Sequence, residues 1–133
     1  MNSQQDALER DVMSMLLAGS DPTLETLAAQ FRLAQTAKRE NTGTGFFTEF
    51  LLPPDAPKVA GEKSFSFGDV DAEIDGLQFG AGFVLHVRNG TINCLEGYSY
   101  EEPWPAGIKS YRLSYGGEAK RDLSKLRAKW AEG

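Results

Sequence analysis

Two dipeptides, Asp75-Gly76 and Asn89-Gly90, constrain this chain more than any other feature. Each lies between runs of alternating apolar and polar residues. Each is also the composition that a two-residue hairpin turn favours, because its central positions need positive φ. Taking both as such turns fixes two registers. In the first hairpin Ile74 faces Leu77, Ala72 faces Phe79 and Val70 faces Ala81. In the second Val87 faces Ile92, Leu85 faces Cys94 and Phe83 faces Glu96. The apolar residues then fall on one face in both hairpins, which two independent turns need not deliver. Upstream, Phe65 and Phe67 have the opposite parity to Val70, Ala72 and Ile74, so one extra residue is expected as a bulge near Gly68. The result is a three-stranded antiparallel meander.

Helical periodicity flanks this meander on both sides. Leu8, Val12, Met15 and Leu16 mark a first helix over Gln5–Leu17, with Gly19 as its stop. Asp21 then suits an N-cap and Pro22 the first helical position. Leu24, Leu27, Ala28, Phe31 and Ala34 form the buried stripe of a second helix, with Lys38 and Arg39 at its C-terminal end. "GFFTEFLL" reads as a strand followed by a proline-rich loop, and Tyr111, Leu113 and Tyr115 alternate with polar residues in another strand. Leu123, Leu126 and Trp130 give a closing helix. The expected fold is α+β, with two N-terminal helices, an antiparallel meander sheet of about five strands and a C-terminal helix. Its helices cover the face bearing Val70, Phe79, Leu85 and Ile92. All 133 residues are expected to form one domain: a helical part over 1–42, the sheet over 43–115 and the helix over 116–133.

Charge is unevenly spread along the chain. Residues 45–102 hold three basic and ten acidic side chains, whereas residues 103–133 hold seven and three. An acidic middle argues against a nucleic-acid-binding sheet, because phosphate contacts need Lys and Arg. The N-terminus lacks the basic and apolar regions of a signal peptide, and no apolar run approaches a membrane span. A single cysteine, Cys94, forbids an internal disulfide. These features lead to the expectation of a cytoplasmic protein with no membrane or nucleic-acid partner.

Several chemistries are weakened in the same way. His86 is the only histidine, and the expected register places it opposite Asn93, across the sheet from Cys94. A Cys–His nucleophile therefore fails, and a Ser–His–acid site would have to use a mid-strand His86 on the polar face. The simpler reading of His86 is a surface histidine beside Arg88 and Asn93. One Cys and one His do not make a structural zinc site. "DAEIDG" begins like a calcium loop, but its twelfth position is Gly82 where a bidentate glutamate belongs. No metal and no cofactor is expected.

Three features keep a functional reading. Glu96, by parity with Ile92 and Cys94, points to the apolar face and is followed by Tyr98 and Tyr100. A carboxylate shifted by burial beside tyrosines is what acid–base catalysis uses, and a structural carboxylate tied to Arg112 or to backbone is the alternative. On the outer face the registers gather Gly80, Gly82, Gly97 and Ser99 into a trough bordered by Asp69 and Asp71. Glycines inside strands often mark the close approach of a backbone, a ring or a ligand. In "EEPWP", Pro103 and Pro105 stiffen the chain around Trp104, beside Glu101 and Glu102. A ring held this way suits an interface anchor or a core plug, and packing is the better expectation.

"TGTGFFTEF", "GDVDAEIDGLQFGAGFVLHV" and above all "LEGYSYEEPWP" resemble a group of small bacterial proteins of unknown function. The resemblance spans about Leu8 to Leu113 and implies a free-standing bacterial domain. It implies no activity, cofactor or catalytic residue. From the residues themselves, the leading expectation is a non-enzymatic binding protein for a basic protein partner, a toxin-neutralising immunity protein being one version. Trp104, Glu101, Glu102, Gly80, Gly82, Gly97, Asp69 and Asp71 would form its surface. The alternative is a small acid–base enzyme using Glu96 with Tyr98 or Tyr100. A homodimer through a strand edge or the trough is the third expectation.

Overall fold

The structure is a computed structural model that describes residues 3–132. The chain opens with two helices, α1 (Ser3–Leu16) and α2 (Pro22–Leu33). Leu8, Val12 and Leu16 recur at helical spacing along α1 and are fully buried. Asp21 caps α2 as expected, its carboxylate accepting from the Thr23 and Leu24 amides, with Pro22 at the first helical position.

Helix α2 stops at Leu33, which corrects the expected run to Arg39 and the wholly helical 1–42 segment. Ala34 turns extended, and Gln35–Asn41 becomes strand β1, paired antiparallel with β2 (Gly45–Leu51). As the edge of the sheet, β1 is mostly exposed and shows no apolar alternation; its charges discourage pairing with other chains. Lys38 and Arg39 are thus edge residues, not the cationic end of a helix. Arg39 turns back to α1, donating to Glu9 at 2.9 Å and to Asp6 at 2.7 Å.

The fold is α+β, with three helices and a sheet of seven antiparallel strands. After β2 come β3 (Phe65–Phe67), β4 (Asp71–Ile74), β5 (Ala81–Arg88), β6 (Thr91–Ser99) and β7 (Tyr111–Ser114). They are ordered β1-β2-β6-β5-β4-β7, with β3 also on β5. Two strands beyond the expected five arise from β1 and from a break between β3 and β4. That break is the bulge expected near Gly68: Phe67 pairs with Leu85 but Asp71 with Gly82, so β3–β4 carries one extra residue. A side chain at Gly68 would collide with the Phe83 carbonyl.

Both hairpins depart from the ideal register. In the first, Ala72 pairs with Ala81 instead of Phe79, and the connection widens beyond a two-residue turn. Glu102 holds this loop by accepting from the Gln78 and Phe79 amides at 2.8 and 2.9 Å, which turns Phe79 outward to 62% exposure. In the second, Val87 faces Ile92 across Asn89 and Gly90, both at positive φ, as expected. The ladder then slips by one residue. Leu85 meets Leu95 instead of Cys94, and Phe83 meets Gly97 instead of Glu96. An unbroken ladder would bury the Glu96 carboxylate and expose Leu95; the extra residue reverses both, and Leu95 is fully buried.

All three helices contribute to one core with the same sheet face, including Phe83, Leu85, Val87, Ile92 and Leu95. The closing helix α3 (Leu123–Glu132) adds Leu126 and Trp130, the latter edge-on to Phe67. Trp104 packs here too, edge-on to Phe46 at 5.3 Å between ring centroids, with its amide donating to the Gly43 carbonyl. "EEPWP" is packing.

Strand β7 ties back to α1 through Tyr111, whose hydroxyl donates to Asp11 at 2.5 Å. That bond, reinforced by burial, pushes the phenol up to about 12. The folded value exceeds the ordinary value of about 10 for an unfolded tyrosine, so the stabilisation is complete below pH ~10. It should fade as pH rises from there through about 12. Ultraviolet titration of the folded protein should show one phenol ionising near 12, a step missing in Tyr111→Phe.

Candidate functional site

Helices on one side leave the other face of the sheet open, and the slip in β6 decides what that face carries. Cys94, Glu96 and Tyr98 now point outward, beside His86, Val84 and Gly82 of β5 respectively. Glu96 therefore lies opposite Val84 on the open face, not opposite Phe83 in the core, and its partner is neither Arg112 nor backbone. His86 lies opposite Cys94, correcting the register that set them on different faces.

The centre of this face is a hydrogen-bonded chain of three side chains. Ser66 Oγ lies 2.7 Å from His86 Nδ1, and His86 Nε2 lies 3.0 Å from Glu96 Oε1. An ionised carboxylate only accepts, so a neutral imidazole between these two groups would carry its proton on Nε2 and offer the Nδ1 lone pair to the Ser66 hydroxyl. Ser66 was missed in the sequence. Its signal was the alternation of "FSF", which places it on the polar face between two core phenylalanines. Burial, together with Glu49 and Glu96, pushes the Cys94 thiol up, so this cysteine holds its proton.

Towards β4 and β7 the face opens into a cleft of about 1090 Å³, lined by Asp71, Glu73, Asp75, Phe79, Tyr100 and Arg112 among others. Phe79 and Tyr100 are 62% and 48% exposed. Tyr100 meets Tyr98 edge-on at 5.7 Å between centroids. Burial and the neighbouring Asp69 raise Asp71, while burial and then Tyr100 raise Tyr98. The Arg112–Glu73 pair at 3.7 Å is exposed at both ends and adds little.

The expected glycine trough is not formed. The slip puts Gly82 and Gly97 on opposite faces, each covered by a ring from the neighbouring strand. Tyr98 lies over Gly82 on the open side and Phe46 over Gly97 on the core side, leaving no room for a Cβ at either. Gly80 sits in the β4–β5 loop at φ +72°, its Cβ position close to the Ala72 carbonyl. Ser99 bonds the Thr44 and Glu102 carbonyls. Asp69 is held by Arg121, Glu101 is an exposed turn residue at φ +63°, and Glu102 secures the loop bearing Phe79. Of the expected binding residues, Asp71 and Gly80 line the cleft and Glu102 shapes its rim.

Among the described residues, no cluster of three or more His, Cys, Asp or Glu is arranged to hold a metal ion, and no helix is long and apolar enough to cross a membrane. Comparison with family models, curated proteins and solved structures gives no match to the chain.

Proposed function

We propose that this chain is a binding module whose open sheet face receives a basic segment of a protein partner in the cleft between Asp71, Phe79 and Tyr100. The observation that carries this reading is the pair of outward aromatic rings in a concavity walled by carboxylates. Large exposed apolar side chains grouped in one place mark interaction sites more often than isolated ones do. Aromatic rings beside acids suit Lys or Arg, whose stems pack on the rings while the charge meets carboxylate. Acidic complementarity of this kind speeds and selects encounter with a basic partner. Trp104 packs its ring on Phe46 at the core side of the sheet and does not line the cleft.

The test is affinity capture of basic proteins by wild type and by Phe79→Ser/Tyr100→Ser, with circular dichroism confirming that both fold. Two aromatic anchors of about 2 kcal/mol each imply retention weakened roughly 1000-fold in the variant, and weakened in wild type by high salt. Retention unchanged by the double substitution, or indifferent to salt, would remove the cleft as the binding surface.

A further inference from the structure

The chain Ser66–His86–Glu96 lies outside the cleft and is not needed for the binding just proposed. Its order is that of a nucleophile, a base and a residue that orients the base, with the two ring nitrogens exchanged relative to the usual serine hydrolase arrangement. Such sites are recognised by geometry and roles, not by chain order. Here Nδ1 faces the hydroxyl and Nε2 faces the carboxylate, at 2.7 and 3.0 Å. Lining up the histidine between donor and acceptor costs rotamer freedom. Beside the hydroxyl is a solvent-open recess of about 350 Å³, lined by Ser64, Ser66, His86, Arg88 and Asn89 among others. It has room for a small acyl group, and Arg88 is the cation in its lining.

We infer that Ser66 is an activated nucleophile that accepts the acyl group of a small ester. The Ser66 oxygen attacks the carbonyl carbon and forms the new C–O bond while its proton passes to His86 Nδ1. Negative charge gathering on the carbonyl oxygen is met by Arg88. Collapse breaks the ester C–O bond, and the imidazolium returns the proton to the departing alkoxide, which leaves as an alcohol. Water then attacks the acyl-serine with His86 again taking the proton, and the carboxylic acid is released with Ser66 restored. Ser66 and His86 are the catalytic residues. Glu96 is a positioning residue: it keeps the proton on Nε2 so that Nδ1 is free to act.

The experiment treats the full chain with a fluorophosphonate probe, locates the adduct by peptide mass mapping and times its formation. Wild type and the control Ser14→Ala should carry one adduct, on Ser66, and release p-nitrophenol from p-nitrophenyl acetate in a burst. His86→Ala and His86→Gln should label at least ~100-fold more slowly, the contribution of a general base. Glu96→Gln should slow labelling and also shift the imidazole proton from Nε2, a change that loss of packing alone would not produce. Absence of an adduct in wild type overturns the inference. So does an adduct on another serine, or labelling at the wild-type rate in both folded His86 variants.

Discussion

Replacing Gln30 by alanine should cost about 3 kcal/mol in chemical denaturation, a large share of the 5–15 kcal/mol typical of a domain. Gln30 is fully buried in α2, and both its amide nitrogen and its oxygen are bonded. Nε2 donates to the Pro57 and Gly90 carbonyls at 2.8 and 2.7 Å, and Oε1 accepts from the Ile92 amide at 2.8 Å. One side chain thereby joins a helix, the proline-rich loop and the first residues of β6. Alanine leaves the Ile92 N–H without its acceptor inside the core and opens a cavity. Gln30→Leu fills the space but still orphans that amide, so it should recover only part of the loss. Full recovery by leucine would mean that packing, not the hydrogen bonds, is what Gln30 supplies.

Arg121→Ala should cost about 2–3 kcal/mol, because it removes several charge-assisted hydrogen bonds at once. Its side chain is only 5% exposed and forks onto Asp69 at 2.7 and 2.8 Å. The remaining donors reach the Leu16 and Ala18 carbonyls at the end of α1, and the guanidinium lies 5.0 Å from the centre of the Tyr115 ring. Truncation removes the partner of the part-exposed Asp69 carboxylate and uncaps α1 together. Lysine has neither the fork nor the number of donors, so Arg121→Lys should remain well below wild type. A double-mutant cycle with Asp69→Asn should show strong coupling, and additivity would mean that the two act separately.

Much of the architecture was legible because hairpin turns and side-chain parity are local properties. Asn89-Gly90 set the pairing of Val87 with Ile92, and the parity clash between Phe67 and Val70 located the bulge at Gly68. Asp21, Leu126 and Trp130 took the places their spacing implied. Counting outward from a turn fails, however, wherever a strand gains a residue, because every later side chain changes face. That is why Glu96, Cys94 and Gly97 were assigned to the wrong sides. The signal was present in "CLEG": burying Leu95 and exposing Glu96 is the cheaper choice, and only a slip permits it. Strand β1 was hidden for another reason, since an edge strand facing water has little need of apolar alternation. Phe79 was misplaced because Glu102, distant in sequence, sets the loop that carries it. Gln30 and Ser66 act through partners far along the chain, which local pattern does not reveal.

The site proposed around Ser66 depends on β6 turning Glu96 outward to His86. A single histidine makes this directly measurable, because its ring nitrogens give the only imidazole signals in a long-range ¹H–¹⁵N spectrum. Recorded on the neutral ring, the spectrum should show the tautomer protonated on Nε2, and Glu96→Ala should release that preference. An imidazole protonated on Nδ1, or a tautomer balance unmoved by removing the carboxylate, would contradict the register of β6 and the site built on it.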